Sequence, residues 1–336
     1  MTRPVKAALA MGADVAADLF PANRHAEFEP EVVLLRSEPL TGFDSAEARA
    51  TLRQSELLVT GWGCPPVSAA VLNEAPRLKA IVHTGGSVKH HLSAAVWDRG
   101  IVVTSAAAAN ALPVAEYTLA TILLANKRVI PSSRLLGRTQ RFDRATDLDH
   151  TIGNFGKRIG LVGASAIGRR VIELLGPFDL EVVVADPYLS SRDAALLGVT
   201  RLDLEELIST SDVVSLHAPA LPETHHLIDG ARIRMMKRGA TLINTARGSL
   251  VDQRALTDRL VTGEIYAVLD VTDPWIPAPG DRLYTLPNVL LTPHIAGSLG
   301  TELRRLAAAA LDEAKRIADG RTPRHPVVID DLTRIA

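Results

Sequence analysis

The chain has 336 residues, of which 47% are hydrophobic and 22% are charged, and its formal net charge is −1. This length predicts two compact domains, and the composition excludes a disordered chain. A net charge close to zero gives no electrostatic reason to expect a nucleic acid or an anionic membrane as partner. The single cysteine, Cys64, cannot form an internal disulfide. Because free thiols persist in a reducing compartment, we expect a cytoplasmic protein.

Two apolar stretches resemble membrane or export segments only superficially. Residues 1–20 have early basic residues and an alanine-rich run, but two aspartates interrupt it, and a strand at Val5–Ala10 explains the stretch better. The longest apolar run elsewhere, Leu112–Ala125, contains Glu116 and is too short to cross a bilayer. We predict a buried helix there.

Short apolar runs alternate with amphipathic stretches in the first third of the chain. The runs lack polar alternation, which is typical of parallel strands buried on both faces. Between them lie helical stretches such as Ser45–Gln54, where Ser45 can act as N-cap and Glu47 sits in the first turn. The predicted strands are Val5–Ala10, Val32–Arg36, Leu57–Thr60, Leu78–His83 and Ile101–Thr104.

The same rhythm resumes after residue 157, which predicts an α/β fold of two doubly wound parallel-sheet domains. The stretch 130–154 interrupts the rhythm and contains arginines at 134, 138, 141 and 144. We interpret it as a surface excursion, and a dimer contact and a solvated loop both remain open. The predicted strands are Arg158–Val162, Glu181–Ala185, Asp212–Leu216, Ala240–Asn244, Ala267–Val271 and Asn288–Leu291.

A glycine-rich turn separates the first of these strands from an amphipathic helix. Its sequence is Gly163-Ala164-Ser165-Ala166-Ile167-Gly168. Turns of this layout bring the backbone close to a dinucleotide pyrophosphate at a helix N-terminus. Ser165 replaces the second glycine of the usual pattern, but its small side chain can fit and its hydroxyl could bind a phosphate. A hydrolase nucleophile elbow is excluded, because Ile167 stands where that motif has its closing glycine.

A carboxylate follows the next strand at the spacing that this turn requires. Asp186 lies 23 residues after Gly163, directly after Glu181–Ala185. In this position a carboxylate accepts hydrogen bonds from the adenosine ribose and repels a 2′-phosphate. The sequence therefore predicts a dinucleotide site that prefers NAD, although Arg192 is close enough in sequence to leave NADP open.

Three later residues suit chemistry at the carboxyl ends of strands. Arg247 could bind a carboxylate or a developing alkoxide, and His294, on a turn framed by proline and glycine, could exchange a proton beside a hydride transfer. Asp270 could hold the nicotinamide amide. Taken singly, each has a structural alternative: a surface ion pair for Arg247, a loop histidine for His294 and a helix cap for Asp270.

Taken together, four segments resemble the D-isomer-specific 2-hydroxyacid dehydrogenase family in order and spacing, and the resemblance covers nearly the whole chain. The segments are Pro113-Val-Ala-Glu-Tyr-Thr-Leu119, Ser215-Leu-His-Ala-Pro219, Asn244-Thr-Ala-Arg-Gly-Ser-Leu-Val-Asp252 and Thr292-Pro-His-Ile-Ala-Gly297. The resemblance implies an NAD-dependent hydride transfer to or from C2 of a small 2-hydroxy or 2-oxo acid. It also implies a homodimer.

The resemblance further implies a Rossmann NAD-binding domain at 109–299 and a discontinuous, flavodoxin-like substrate domain at 1–108 and 300–336. The helices at Pro113–Arg128 and Thr301–Asp319 would connect them. By carry-over, Arg247 and His294 are catalytic, and both also bind substrate together with Thr84, Gly85, Gly86 and Ser87. The implied cofactor contacts are Gly163, Ser165, Ala166, Ile167, Gly168, Asp186, His217, Ala218, Pro219, Thr224, Thr245, Ala246, Arg247, Asp270, His294 and Gly297.

The chain departs from the family pattern at one catalytic position. The family usually has a glutamate five residues after the equivalent of Asp270, where it pairs with the histidine and favours its protonated form. Trp275 occupies that place here, and Asp273 could act as surrogate only in a gapped alignment. We expect slower keto-acid reduction near neutral pH, and an aromatic face that selects an apolar or unusual substituent.

Three functions therefore remain open. The first is an active NAD-dependent dehydrogenase, the second an NAD-binding regulator of the same fold, and the third a dehydrogenase acting on a phosphonate or phosphite oxyanion. No metal is expected, because His90-His91 and His225-His226 lack the spacing and third ligand of a zinc site. We predict that these histidines lie in surface loops.

Overall fold

A computed structural model describes residues 3–141 and 151–333 of the chain. The chain divides into two compact units, one comprising Met1–Ala111 with Ser298–Ala336 and the other Leu112–Gly297. The boundaries expected from the sequence, after 108 and before 300, differ from these by at most three residues.

The discontinuous unit contains a five-stranded parallel sheet. Its order, β2-β1-β3-β4-β5, is the flavodoxin-like order. The strands are β1 (Val5–Ala10), β2 (Val32–Leu34), β3 (Leu57–Thr60), β4 (Ala80–His83) and β5 (Val102–Ser105). The helices are α1 (Ala13–Leu19), α2 (Ala46–Gln54), α3 (Ala69–Glu74), α4 (Ala95–Asp98) and α12 (Leu303–Ala318), with 3₁₀ turns at Ala22–Phe28, Gly300–Glu302 and Ile329–Thr333.

Helices cover both faces of this sheet, which explains why its strands are apolar without alternation. On one face α1 and α12 bury Leu19 and Leu306 against the sheet. On the other face α2, α3 and α4 bury Leu52, Leu72 and Val96. Helix α2 begins as predicted, because the Ser45 side chain accepts a hydrogen bond from the N–H of Ala48; α12 begins two residues later than expected.

The second unit contains a seven-stranded parallel sheet of order β12-β11-β10-β9-β6-β7-β8. Numbered from its own first strand, this is the Rossmann order with one added edge strand. The strands are β6 (Lys157–Val162), β7 (Leu180–Ala185), β8 (Thr200–Arg201), β9 (Val213–Leu216), β10 (Thr241–Asn244), β11 (Tyr266–Leu269) and β12 (Val289–Leu291). The short edge strand β8 was not predicted.

Helices also cover both faces of the second sheet. Helices α5 and α7 bury Ile122 and Val171 on one face, whereas α9, α10 and α11 bury Leu207, Ile233 and Leu256 on the other. Their bounds are α5 (Ala107–Asn126), α6 (Val129–Thr139), α7 (Ala166–Leu175), α8 (Ser191–Leu196), α9 (Leu204–Thr210), α10 (Gly230–Met235) and α11 (Gln253–Val261), with 3₁₀ turns at Pro222–Thr224, Gly248–Leu250 and Arg282–Tyr284.

The segment predicted as a surface excursion contains helix α6, which has no fully buried residue. Its arginines at 134 and 138 give it a polar face, whereas Leu136 is about half exposed at 51%. The prediction for Arg144 lies outside the described residues. The dimer contact stays a prediction.

Helix α5 is longer than the sequence predicted. Its 20 residues make it long and apolar enough to cross a membrane by length and composition, so the prediction that this helix is too short to do so is wrong. Its packing decides the matter, because Ala115 and Ile122 are fully buried in one core with Ile159 and Val171 of the second sheet and its helix. The interpretation as a buried core helix therefore rests on packing.

We expect Ile122→Ala to lower the free energy of unfolding by about 2–5 kcal/mol, since it removes a buried side chain and leaves a cavity. Leu124→Ala, on the exposed side of the same helix, is the matched control and should change it by about 0.5 kcal/mol at most. Chemical denaturation measures both values. Equal effects would show that α5 does not pack as described.

Candidate active site

The predicted site residues of the second unit lie at one edge of its sheet. All seven strands are parallel, so the segments that follow them meet at the carboxyl edge. Strand β6 has β7 on one side and β9 on the other, which makes this the point where the strand order reverses. In doubly wound sheets ligands bind outside the carboxyl ends at such a point.

The glycine turn after β6 is closely packed. Gly163 has a positive φ of 101°, and a Cβ there would lie 2.9 Å from the N of Ala218 and from the carbonyl oxygen of His217. A Cβ on Gly168 would overlap the carbonyl oxygen of Gly163. Only glycine fits both positions, so the turn brings the first turn of α7 against β6 and β9.

Ser165 is the N-cap of α7. Its Oγ accepts a hydrogen bond from the N–H of Gly168 at 3.4 Å, which leaves the hydroxyl proton free to donate. Within the described residues the N–H groups of Ala166 and Ile167 have no hydrogen-bond partner. The turn therefore directs unpaired donors and the positive end of a helix dipole outward, which suits a pyrophosphate.

Asp186 is held in place at the end of β7. Its Oδ2 accepts from the N–H of Ala164 at 2.6 Å, and its Oδ1 accepts from the N–H of Tyr188 at 2.7 Å. No ion pair to this half-buried carboxylate occurs in the part of the chain that the structure describes. Its negative charge and its remaining lone pairs therefore stay available beside the glycine turn. Arg192 is exposed.

The segment after β9 supplies a buried histidine and a closed loop. His217 is 4% exposed; its Nε2 lies 3.0 Å from Ser215 Oγ, and its Nδ1 has no partner among the described residues. Burial lowers the pKa of His217 to about 4. The hydroxyl of Thr224 donates to the Pro219 carbonyl at 2.6 Å and accepts from the N–H of Leu221 at 2.8 Å. Thr224 thus closes its own loop.

The Asn244 side chain shapes the turn that carries Arg247. Its amide donates to the Arg247 carbonyl at 2.9 Å, and its Oδ1 accepts from the N–H of Ala246 at 3.1 Å. Thr245 is buried and its hydroxyl lies 3.2 Å from that of Thr118 in α5. A Cβ on Gly248 would overlap the Thr272 carbonyl, so this turn packs directly on the segment after β11.

The guanidinium of Arg247 is half-buried and makes one hydrogen bond to the backbone. Its Nη1 donates to the carbonyl of Ala246 at 2.7 Å, and burial lowers its pKa. No carboxylate forms an ion pair with it in the described ranges, 3–141 and 151–333. A partly desolvated cation without a counter-ion is a site prepared for an anion.

Asp270 holds the histidine turn. Its carboxylate, 1% exposed, accepts from the Thr292 hydroxyl at 2.6 Å and from the N–H groups of Ile295 and Ala296 at 2.8 and 2.9 Å. Tyr117 of α5 donates in turn to Thr292 at 2.9 Å. These bonds stabilise His294 at a φ of 58°, in the left-handed region. The structure thus gives Asp270 a positioning role that sequence reasoning missed.

Trp275 contacts the histidine at the position where the family has glutamate. Its indole Nε1–H donates to His294 Nδ1 at 3.1 Å, and the ring planes meet at 79°. The Thr272 hydroxyl shares its one hydrogen between the carbonyls of Pro274 and Trp275, at 2.8 and 2.9 Å, and so fixes the segment. The indole is 66% exposed, whereas the imidazole is partly buried.

Within the described part of the chain, the charges that act on His294 come from Asp270 and Arg247, and Asp273 is not among them. Burial lowers the pKa of His294, Asp270 raises it and Arg247 lowers it, with a net lowering. Asp273 is exposed, and its backbone N–H binds Gln253 Oε1 at 2.9 Å. The described geometry therefore gives no surrogate role to Asp273.

A pocket of about 230 Å³ lies beside Trp275. Apolar side chains predominate in its wall, with one arginine, and Trp275, which lines the pocket, also donates a hydrogen bond to His294. Its lining residues are Arg134, Thr272, Trp275, Ile276, Pro277, Leu283, Tyr284, Leu291, Thr292 and Pro293.

The substrate segment predicted in the discontinuous unit follows β4. Thr84 donates to the Thr60 carbonyl at 3.0 Å, and the Gly85 carbonyl accepts from the N–H of Ala106 at 3.1 Å. The N–H groups of Gly85, Gly86 and Ser87 make no hydrogen bond within the described residues. The loop thus presents three successive free donors, which suit a carboxylate.

Two buried histidines, His83 and His91, pack beside this loop. His83 Nδ1 and His91 Nε2 lie 3.0 and 3.3 Å from the Thr60 hydroxyl, and the two rings are 4.5 Å apart. A Cβ on Gly85 would lie 2.7 Å from His83 Nε2. His91 is 8% exposed, so its prediction as a surface histidine is wrong. The segment is buried because Val88 and Leu92 pack in the core of this unit.

The other three histidines considered as ligands are exposed, namely His90, His225 and His226. In the described part of the chain no group of three or more His, Cys, Asp or Glu side chains lies where it could hold a metal ion.

We expect the unfolding free energy to fall as the pH drops from 6.5 towards 4. Burial, with a smaller contribution from His91, lowers the pKa of His83 to about 3, and burial lowers that of His91 to about 4. The unfolded chain therefore binds protons in this range that the folded chain cannot bind, at a cost of up to about 1.4 kcal/mol per pH unit for each histidine.

Denaturant titrations between pH 7 and 4 measure this slope. His91→Gln should reduce it, because the amide keeps a hydrogen-bonding group but does not titrate, whereas the exposed His225→Gln should leave it unchanged. Identical slopes in all three proteins would contradict the assignment.

Comparison with known proteins identifies relatives for this geometry. The family described as D-isomer specific 2-hydroxyacid dehydrogenase, NAD binding domain, matches residues 119–296. A D-3-phosphoglycerate dehydrogenase of Mycobacterium bovis is 36% identical over 255 residues, which are 75% of this chain and 47% of that protein. A glyoxylate reductase of Thermofilum pendens is 34% identical over 76% of this chain and 77% of its own length.

Solved structures of other proteins have a similar fold over most of the chain. A protein of Thermus thermophilus has a TM-score of 0.74 at 31% identity and covers 96% of this chain and 100% of its own. A D-lactate dehydrogenase of Treponema pallidum has the same TM-score at 27% identity, covering 96% and 99%. The chain spans about half the length of the phosphoglycerate dehydrogenases that it matches. It belongs to the D-isomer specific 2-hydroxyacid dehydrogenase family, and Leu112–Gly297 is its NAD-binding unit.

Proposed function

We propose that this chain is an NAD-dependent dehydrogenase that interconverts a small 2-oxo acid and the corresponding D-2-hydroxy acid. The observation that carries the proposal is Arg247: a half-buried guanidinium that has no anionic partner among the described residues and whose charge acts on His294 at the carboxyl edge of the sheet. Such a cation binds a substrate carboxylate and stabilises the negative charge that develops on the adjacent carbonyl oxygen.

The residues of the second unit fit the cofactor that the family binds. The glycine turn and the free N–H groups of Ala166 and Ile167 would hold the pyrophosphate, and Asp186 the adenosine ribose. When bound, NAD supplies or accepts the hydride. Arg247 then orients the substrate, while His294 presents Nε2 to the reacting oxygen because its Nδ1 is engaged by Trp275.

The pocket beside Trp275 supports a substrate with an apolar substituent. Most of its lining side chains are apolar, and a 2-oxo acid bulkier than glyoxylate would gain contact with them.

A second candidate function is an NAD-binding regulator, and one observation favours it: an indole donor occupies the place of the family's carboxylate. Turnover of a panel of 2-oxo acids separates the two functions, because the regulator would bind NADH without turning over any acid.

Oxidation of NADH with glyoxylate, hydroxypyruvate and bulkier 2-oxo acids tests the proposal. Arg247→Ala should lower kcat/KM by about 10²–10³-fold or more, because it removes the charge that binds the carboxylate and the oxyanion. Arg247→Lys should recover little of it, since an ammonium cannot bind bidentately. The exposed Arg254→Ala is the matched control and should retain activity. Binding of NADH without turnover of any acid would instead favour the regulator.

Cofactor preference depends on Asp186. We expect the protein to bind NADH more tightly than NADPH, and Asp186→Asn to reduce this preference at least about tenfold by removing the charge that repels a 2′-phosphate. Glu181→Gln removes an exposed carboxylate from the same strand and serves as control. Fluorescence titration with both cofactors measures the ratio. Equal affinity of the unaltered protein for NADH and NADPH would be the contrary result.

A further inference from the structure

The hydrogen bond between Trp275 and His294 has a fixed polarity. An indole nitrogen carries a hydrogen and no available lone pair, so it can only donate. The Nδ1 of His294, 3.1 Å away, must therefore be the acceptor and cannot carry a proton. In a neutral imidazole the proton then resides on Nε2. The contact thus selects one protonation state and one tautomer of His294.

A carboxylate in this place has the opposite effect. It accepts from Nδ1–H and favours the imidazolium, which has a hydrogen on both nitrogens. With Trp275, an imidazolium would direct Nδ1–H at the indole N–H, and the hydrogen bond would be lost. Protonation of His294 therefore costs the Trp275 contact.

The other groups that face His294 do not reverse this preference. Arg247, from the turn after β10, adds a positive charge that opposes protonation. Asp270, at the end of β11, favours protonation, but both of its oxygens already accept hydrogen bonds from Thr292, Ile295 and Ala296. Because burial and Arg247 outweigh Asp270, the pKa of His294 is lowered.

We propose that Trp275 is a positioning residue that holds His294 as the neutral imidazole with its proton on Nε2, so that His294 assists hydride transfer as a hydrogen-bond donor and not as an imidazolium acid. The proposal rests on the proposed dehydrogenase activity. It makes the indole a functional replacement for the family's glutamate, with a different proton chemistry.

The chemistry balances with water as the proton source. Reduction forms a C–H bond at C2 with the transferred hydride, and the carbonyl π electrons move to oxygen. The Nε2–H of His294 and the Arg247 guanidinium stabilise that charge, and the oxygen takes its proton from a water molecule, which leaves hydroxide. A neutral imidazole can serve as such an electrophile without giving up its proton. In the oxidative direction the hydroxyl proton returns to hydroxide, because Nε2 has no free lone pair.

The reduction rate should consequently depend little on the titration of His294. For the unaltered protein we expect kcat/KM for reduction to be nearly constant between about pH 6 and 8, since the neutral ring is the active form. Trp275→Glu should restore the carboxylate–imidazolium pair and give a profile that falls as the pH rises through the elevated pKa of His294.

Nuclear magnetic resonance of the protein labelled with ¹⁵N in histidine tests the tautomer without turnover, and His294→Asn assigns the signal. We expect Nε2–H with an unprotonated Nδ1 at neutral pH. Trp275→Phe keeps an aromatic ring but removes the donor; it should raise the pKa of His294 by up to about one unit, a tenfold change in the protonation equilibrium. Trp275→Glu should raise it further.

Ile276→Val, beside the tryptophan and exposed, should leave the tautomer and the titration unchanged. Substituting Trp275 itself removes little packing, because its ring is largely exposed. A proton on Nδ1, or a titration that Trp275→Phe does not shift, would overturn the proposal. Absence of turnover with the expected tautomer present would instead refute the dehydrogenase activity, so the two failures are distinguishable.

Discussion

The active-site geometry depends on the buried carboxylate of Asp270. Its two oxygens accept three hydrogen bonds from the turn after β12. One of the donors, the Thr292 hydroxyl, in turn accepts a hydrogen bond from Tyr117 of helix α5. A buried carboxylate is costly unless each oxygen is satisfied, so this turn has essentially one arrangement. That arrangement puts His294 in the left-handed region, beside Arg247 and within reach of Trp275.

Packing of backbone on backbone fixes the remaining parts of the edge. Gly163 and Gly168 let α7 lie against β6 and β9, and Gly248 lets the Arg247 turn lie against Thr272. Each of these glycines stands where a side chain would meet main-chain atoms. The glycine turn, Arg247 and His294 thus belong to one framework of parallel strands, which positions the side chains proposed to carry the chemistry.

Much of this architecture could be predicted from the sequence. Apolar runs without alternation identified eleven of the strands, and the glycine turn with Asp186 predicted a dinucleotide site, because both signals are local. The two-residue strand β8 escaped, since it has no apolar pattern. The family resemblance put Trp275 at the position that pairs with His294, but the hydrogen bond from the indole and the three hydrogen bonds to Asp270 could not be inferred, because they depend on side-chain contacts between segments some 20 residues apart. Burial of His91 escaped for the same reason, since this turn residue contacts His83 at the end of β4 and Thr60 at the end of β3.

The measurement that tests the central claim most directly is the fate of a labelled hydride. Reduction of a 2-oxo acid with NADH that carries deuterium at both C4 positions should yield a 2-hydroxy acid with deuterium at C2 and the D configuration, as analysed by mass spectrometry and chiral chromatography. A product without deuterium, a product of L configuration, or tight NADH binding with no product from any acid would contradict the account.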